Sequence, residues 1–207
     1  MTLSSETVKT RERYDRIAGI YDRIELLAEP WIAPWRRLLW SKAPEGRILE
    51  LGVGTGRNFP YYPKGADVIA IDISERMLSL ARRKAAQEGV AVTLERMDAQ
   101  ALSFPDDSFD AVVASFVFCS VPDPVLGLKE AARVCKPGGW VLLLEHVLSG
   151  GPLGLLMRLM NPLVVRLWGA NMDRRTVENV LRADLELVDV TNLLGDVVKL
   201  IEARPKK

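Results

Sequence analysis

Cysteine, histidine and long apolar runs are scarce in this sequence of 207 residues. Two cysteines, Cys119 and Cys135, are too few for a disulfide framework, and with a single histidine they predict no metal site. No apolar run reaches the roughly 18 residues of a membrane-spanning helix. Residues 1–17 are charged and lack the apolar core of a signal peptide. We therefore expect a cytoplasmic protein.

The sequence also lacks an excess of charge of either sign. The chain has 28 basic and 27 acidic residues, a net charge of +1, so composition does not indicate a nucleic-acid partner. Hydrophobic residues make up 48% and charged residues 27%, which excludes a disordered chain. The length suits one domain, and the composition leaves the oligomeric state open.

Short apolar runs alternate with helical patterns through the middle of the chain. Near-continuous apolar strands suit a parallel sheet covered on both faces, so this alternation predicts a doubly wound α/β fold. Two further runs near the end are separated by only three residues, which can join only antiparallel neighbours. The expected strands are residues 47–51, 67–72, 90–96, 109–115, 139–147, 185–193 and 197–205, and the longer expected helices are 74–89 and 123–139.

A glycine-rich loop follows the first expected strand. Gly52, Gly54 and Gly56 alternate there, and glycines at a strand-to-helix turn let the backbone approach a ligand closely. The third glycine comes one residue too early for the dinucleotide fingerprint, and Glu50 precedes the first. A carboxylate at Glu50 would repel a pyrophosphate but suits an amine. NAD is therefore disfavoured, and a simple tight turn is the structural alternative.

Two acids follow the next two strands. Asp72 lies 20 residues beyond Gly52, where an acid accepts hydrogen bonds from the ribose hydroxyls of a nucleoside. Asp98 and Ala99 follow the third strand, where we expect the adenine, with Met77 over its ring. The alternatives are that Asp72 caps the following helix and that Asp98 is only a turn residue.

The ordered motifs ELGVGTG, AID, MDAQALSFPDDSFD, KPGG and EHV resemble those of the class I S-adenosylmethionine-dependent methyltransferases. The resemblance covers about residues 10–205 and implies a Rossmann-like seven-stranded sheet, mostly parallel, with a C-terminal antiparallel hairpin, and S-adenosylmethionine as cofactor. The expected cofactor-binding residues are Glu50, Gly52, Gly54, Gly56, Asn58, Asp72, Ile73, Met77, Asp98, Ala99 and Ser115.

The N-terminal segment resembles the opening Y-D-x-x-A-x-x-Y-D of small-molecule methyltransferases, which forms a lid. Tyr14 and Tyr21, seven residues apart, fall on one helical face and are candidate catalytic residues, with core packing as the alternative. We expect one domain made of a helical lid (1–43), a cofactor-binding core (44–147), a helical cap insertion (148–183) and the terminal hairpin (184–207).

Candidates for the acceptor end follow strands four and five, where open α/β sheets bind ligands. His146, the only histidine, suits a proton acceptor, and a hydrogen-bonded residue at a strand end is the alternative. Phe116 and Glu145 are candidate substrate-binding residues. Glu145 would either bind a cationic substrate or hold His146.

Two apolar, basic segments, residues 31–42 and 152–172, contain four of the five tryptophans and predict one shared environment. Arginines there suit a membrane headgroup boundary, so Arg158 and Arg166 are candidate contacts to lipid phosphates and the protein is expected to visit the inner membrane. The alternative is an internal cap over the donor site.

The motifs ELGVGTG, F-P-D-x-S-F-D, VPDP, KPGG and HV together resemble those of bacterial phosphatidylethanolamine N-methyltransferases. The motifs FCSVPDP, EHV and GANMDRRT equally resemble those of the membrane-associated thiol methyltransferases of the endoplasmic reticulum. The first set favours an amphiphilic amine, the phosphatidylethanolamine headgroup, as acceptor. Thiol S-methylation, methylation of a quinone-type small molecule, and binding of the cofactor without catalysis are the alternatives.

Overall fold

A single seven-stranded sheet organises the computed structural model, which describes residues 4–167 and 169–207. Its order is β3-β2-β1-β4-β5-β7-β6; β7 is antiparallel to both of its neighbours, and the other pairs are parallel. This confirms the predicted doubly wound sheet with a terminal hairpin. The strands are β1 (Arg47–Leu51), β2 (Asp67–Asp72), β3 (Thr93–Arg96), β4 (Phe109–Ser115), β5 (Cys135–His146), β6 (Leu185–Leu194) and β7 (Val198–Pro205).

Helices cover both faces of the sheet, which explains why its central strands are mostly apolar. One face packs against Leu128 of α3 and Val180 of α5, and the other packs against α2 and the last turns of α1, with Leu39 and Trp40. The helices are α1 (Ser5–Ser41), α2 (Glu75–Glu88), α3 (Pro124–Val134), α4 (Gly151–Leu167) and α5 (Thr176–Leu181).

Two predicted boundaries are wrong, and local backbone chemistry explains both. The helical pattern over 123–139, whose Pro-Gly-Gly was expected past the helix end, gives a helix that ends at Val134, and β5 begins at Cys135 where we expected residue 139, because Pro137 favours extended geometry at the residue before it. The strand expected over 90–96 begins at Thr93, because Gly89 ends α2 in the left-handed conformation and the Val90 N–H bonds back to the Ala85 carbonyl.

The prediction that the tryptophans share one environment is wrong as well. Trp31 is 75% exposed, whereas Trp40 is 1% exposed and packs in the core beside Tyr62. Both belong to α1, and they fall on different sides of it. Trp168 lies outside the described residues. No helix within residues 4–167 or 169–207 is long and apolar enough to cross a membrane.

Candidate active site

In the glycine loop after β1, two of the three glycines lie against neighbouring side chains and the third borders open space. Gly52 has φ +64°, and a Cβ there would lie 2.5 Å from the Val117 side chain. Gly54 has φ +57°, and a Cβ there would meet no atom within 4 Å. Gly56 differs, since a Cβ there would collide with Phe59. Gly54 therefore leaves room for a ligand against the backbone, and Gly56 serves packing within the loop.

Asp72, at the end of β2, joins this loop to helix α2. Its Oδ2 accepts a hydrogen bond from the Gly54 N–H at 2.9 Å, and its Oδ1 accepts one from the Ser74 N–H at 2.8 Å. Burial raises the pKa of the Asp72 carboxyl to about 6, although the two backbone donors oppose that rise. Each oxygen keeps a further lone pair for an outside donor.

A cavity of about 740 Å³, counted out to its mouth, opens above this loop. Of the predicted site residues, the cavity wall includes Tyr14, Tyr21, Gly52, Gly54, Asp72, Ile73, Met77, Asp98, Ala99, Ser115 and Phe116. The fold therefore brings together at one site residues from the N-terminal helix and from the ends of β1, β2, β3 and β4.

Helix α1 closes the top of the cavity through polar contacts. The Tyr14 hydroxyl lies 2.6 Å from the Ser120 hydroxyl, and the Gln100 amide donates to the Thr7 hydroxyl at 3.1 Å. Thr7 and Thr10 line the wall but were not predicted. Thr10 lies four residues and Thr7 seven residues before Tyr14, which places both on its helical face, so extending that face through the sequence would have found them.

Asp98 serves the turn and the wall together. Its Oδ1 accepts from the backbone N–H and the side-chain amide of Gln100, at 2.9 and 3.1 Å. Asp98 therefore stabilises the turn, which was the structural alternative, and it also lies on the cavity wall, where the ligand role would require it. Val117 and Ser120, which belong to the candidate stretch after the fourth strand, also lie on the wall, and the wall residues that the sequence did not indicate are Ile71, Met97, Val121 and Pro122.

Glu50 and Asn58 lie behind the loop and are not on the cavity wall. The Glu50 carboxylate accepts hydrogen bonds from the Asn58 amide and the Tyr62 hydroxyl. Arg36 donates to the Asn58 side-chain oxygen at 3.1 Å and to the Ser115 hydroxyl at 3.0 Å. Burial raises the pKa of Glu50 to about 7. In this conformation Glu50 bonds to its neighbours behind the loop and is not on the cavity wall, and its contact with the cofactor amine stays a prediction.

Glu145 and His146 also lie off the cavity wall, and they do not contact each other as one reading of the sequence expected. The Glu145 carboxylate bonds to backbone N–H groups of residues 117 and 118. His146 packs near Phe116, with ring centroids 6.4 Å apart, and burial lowers its pKa. Phe116 is thus the side chain that links His146 to the cavity, and the catalytic role of His146 stays a prediction.

Arg158 and Arg166 are exposed on α4, away from the cavity. Around them α4 presents apolar side chains to solvent, and Leu159 is 71% exposed. The exposed apolar residues of α4 are Leu153, Leu155, Leu156, Leu159, Met160 and Leu163. Within the described parts of the chain no group of His, Cys, Asp or Glu side chains is suited to a metal ion.

The open space at Gly54, the acid at the end of β2 and the cavity between them fit an adenosine with an amino-acid tail. The ribose hydroxyls would meet Asp72, the tail would lie along Gly52 and Gly54, and the base would lie between Met77 and Ala99. The fold and the site together define a nucleoside-binding α/β protein.

Comparisons with known proteins identify its class. A family model described as a methyltransferase domain matches residues 49–143. A demethylmenaquinone methyltransferase of Clavibacter sepedonicus is 33% identical over 96% of this chain and 91% of its own length. A phosphatidylethanolamine N-methyltransferase of Cereibacter sphaeroides is 46% identical over 49% of this chain, so the match spans about half of that relative, 51% of its length.

Solved structures agree in fold. A methyltransferase of Thermotoga maritima, described as a possible histamine N-methyltransferase, superposes with a TM-score of 0.72 and 23% identity over 96% of this chain and 100% of its own. A methyltransferase of Methanosarcina mazei gives a TM-score of 0.65 and 24% identity over 81% and 96%. The chain belongs to the class I S-adenosylmethionine-dependent methyltransferases, and S-adenosylmethionine is its cofactor.

Proposed function

We propose that this enzyme methylates the amine of an amphiphilic lipid headgroup, phosphatidylethanolamine, while helix α4 rests on a membrane surface. The relative with 46% identity is named for this acceptor. The observation that carries the proposal is the outward face of α4. Leu155, Leu156, Leu159, Met160 and Leu163 occupy an arc of about 140° on a helix of 3.6 residues per turn, opposite the buried Gly154 and Met157.

The charge of α4 suits an anionic lipid surface. Arg158 and Arg166 are its only charged residues, so the helix has no carboxylate to repel lipid phosphates. A helix with an exposed apolar face and basic residues lies in the plane of a membrane interface. We assign Arg158 and Arg166 to contacts with that surface, which fits their distance from the cavity wall.

The position of α4 connects the membrane to the acceptor end of the cavity. The Asn161 side chain on α4 accepts from the Met172 N–H at 2.7 Å, and Asn171 donates to the Cys119 carbonyl at 2.9 Å. Cys119 precedes Ser120, which lies on the cavity wall beside Tyr14. The cap over 148–183 that we predicted would thus lie between a lipid and the site.

When bound, S-adenosylmethionine supplies a methyl group that the lone pair of an acceptor displaces from sulfur. The protein's part is to align the acceptor and exclude water. Burial raises the pKa of the Tyr14 phenol above its usual value, so that hydroxyl stays protonated and serves as a hydrogen-bonding group. His146 stays our proposed proton acceptor, since burial holds its ring neutral.

An assay with labelled methyl donor and three acceptors tests the proposal. Vesicles of phosphatidylethanolamine with phosphatidylglycerol should be methylated, and demethylmenaquinone in the same vesicles and a soluble alkyl thiol should not. Methylation of the quinone alone would favour the second candidate, ring C-methylation, which the near-full-length match to a demethylmenaquinone methyltransferase supports. Methylation of the thiol alone would contradict both.

The role of α4 is tested by Leu155→Ser, Leu159→Ser and Leu163→Ser combined. Each leucine that leaves a lipid interface costs about 1 kcal/mol, so vesicle affinity should fall about 100-fold. S-adenosylhomocysteine affinity, measured by calorimetry, should not change. Equally exposed positions outside α4 supply the control, Leu181→Ser, Val188→Ser and Leu194→Ser, which should bind vesicles normally. Equal vesicle binding by both triple variants would contradict the proposal.

A further inference from the structure

The backbone turn that follows β4 forms much of the acceptor end of the cavity. Phe116 has φ +57°, a left-handed conformation that is strained for a bulky side chain. The Ser120 N–H then bonds to the Val117 carbonyl at 2.9 Å. Phe116, Val117 and Ser120 all face the cavity, so the conformation of this turn sets the shape of the wall.

The turn is also in contact with the cofactor loop. The Val117 side chain occupies the place where a Cβ of Gly52 would stand, 2.5 Å from its Cγ2. The Phe116 N–H bonds to the Leu144 carbonyl at 2.8 Å, which ties the start of the turn to β5. A shift of this turn would therefore move the acceptor wall relative to the donor site.

Glu145, on β5, bonds to the next two N–H groups of the turn. Its Oε1 accepts from the Val117 N–H at 2.8 Å and from the Phe118 N–H at 3.0 Å. The Glu145 side chain is fully buried, and the cavity wall does not include it. A buried carboxylate without these two donors would be costly, so the contact constrains the strand and the turn together.

We propose that Glu145 is a positioning residue, whose single oxygen Oε1 holds the 116–118 turn and thereby the acceptor wall, without touching the substrate. This role needs an acceptor oxygen at the right distance and needs no negative charge. Direct binding of a cationic headgroup, the role that the sequence suggested, needs the charge instead. The proposal depends on the methyltransferase class and on no particular acceptor.

Two conservative substitutions separate these roles. Glu145→Gln keeps a carbonyl oxygen at the same reach but removes the charge. Glu145→Asp keeps the charge but shortens the side chain by one carbon–carbon bond, about 1.5 Å, which takes the oxygen beyond hydrogen-bonding distance of both N–H groups. Glu145→Ala removes both features.

The first readout is amide hydrogen exchange at Val117 and Phe118, with Val112 and Val113 in β4 as internal references. We expect exchange within threefold of wild type in Glu145→Gln and at least tenfold faster in Glu145→Asp and Glu145→Ala. Unchanged exchange in Glu145→Asp would overturn the proposal. Because two of the three variants preserve a polar side chain at this position, a failure of Glu145→Ala to fold would still leave the comparison of Gln with Asp.

The second readout is kinetic, with whichever acceptor of the assay above is methylated. Glu145→Gln should keep the wild-type KM for the acceptor and an unchanged pH profile, and Glu145→Asp should raise that KM at least tenfold while S-adenosylhomocysteine affinity changes less than threefold. An active Asp variant with an inactive Gln variant would overturn the proposal in favour of direct charge contact. The exchange result stands even if all three acceptors prove wrong.

Discussion

Asp72 shows how one carboxylate serves structure and binding together. It holds the Gly54 N–H of the loop and the Ser74 N–H at the start of α2, and it faces the cavity. The sequence alternatives for Asp72, a helix-start acid or a ribose ligand, are therefore compatible. An ionised carboxylate can accept four hydrogen bonds, so two backbone donors leave capacity for two ribose hydroxyls.

Ionisation of Asp72 should control cofactor affinity. Burial raises its pKa to about 6, so the carboxyl becomes protonated as the pH falls through 6 and loses acceptor capacity. We expect S-adenosylhomocysteine affinity, measured by calorimetry, to fall about tenfold from pH 7.5 to pH 5. Asp72→Asn should weaken binding at pH 7.5 by a similar or larger factor and flatten the pH dependence. An Asn variant that binds as wild type would contradict the ribose contact.

At the scale of single residues, most of the expected cofactor-binding residues lie on the cavity wall, whereas most of the expected acceptor-side residues do not. Gly54, Asp72 and Met77 follow strands whose apolar pattern is unambiguous, and each lies on the cavity wall. Glu50 and Glu145 were placed in contact with ligand because a carboxylate near a strand end looks available. Both carboxylates instead bond within the protein, Glu50 to side chains of the segment that follows β1 and Glu145 to backbone N–H groups of the turn after β4.

Among the helices and strands, α1 is the one whose length and contacts were least predictable from the sequence. It runs from Ser5 to Ser41 through two prolines, Pro30 and Pro34. Its last turns lie in the core, whereas its first half meets the rest of the molecule through a small apolar cluster with α2 and through polar contacts. Asp15 accepts from the Ser74 hydroxyl at 2.6 Å, and Asp22 accepts from the Thr55 hydroxyl at 2.7 Å. Such contacts depend on tertiary structure, which periodicity does not report.

The first half of α1 should open when those two contacts are removed. Asp15→Ala combined with Asp22→Ala should raise amide exchange of residues 5–21 about 30-fold, since each of the two hydrogen bonds contributes about 1 kcal/mol and opening is local. The control Glu6→Ala with Glu12→Ala removes the same charge from exposed positions of the same helix. Equal exchange in both double variants would show that the two aspartates do not hold the helix.

On the scale of the whole molecule, the protein buries several acids near its sites of binding. Burial raises the pKa of Glu50 and of Glu145 to about 7 and that of Asp72 to about 6. They lie at the carboxyl ends of β1, β5 and β2 respectively, and the ends of β1 and β2 line the cavity whereas that of β5 lies beside it. The hydrophobic pattern alone predicted the fold class. It did not predict this group of buried acids, because nothing in the residues next to each acid indicates that its side chain will be buried.

Folding stability should therefore fall as the pH rises. A carboxyl whose pKa is higher in the folded than in the unfolded state binds its proton more tightly when folded, and that stabilisation is lost as the pH passes its folded pKa. For Glu50 and Glu145 the loss runs from about pH 4.5 to somewhat above 7. His146, whose pKa is lowered, acts in the opposite direction and only below about 6.5.

Urea unfolding between pH 6.5 and 8 isolates this effect from His146. The urea midpoint should decrease across that range and then level off. Glu50→Gln should reduce the decrease, because one titrating group is removed while its contact oxygen remains. A midpoint that rises from pH 6.5 to 8 would contradict the assignment of these buried carboxyls.

The outward face of α4 determines which measure of acceptor concentration should govern the reaction rate. An enzyme that rests on a bilayer meets its acceptor by lateral diffusion in two dimensions, so the relevant concentration is the mole fraction of acceptor within the lipid. Diluting the acceptor with inert phospholipid should then slow the reaction at constant total acceptor. Adding more bilayer of the same composition should leave the rate unchanged once every enzyme molecule is bound.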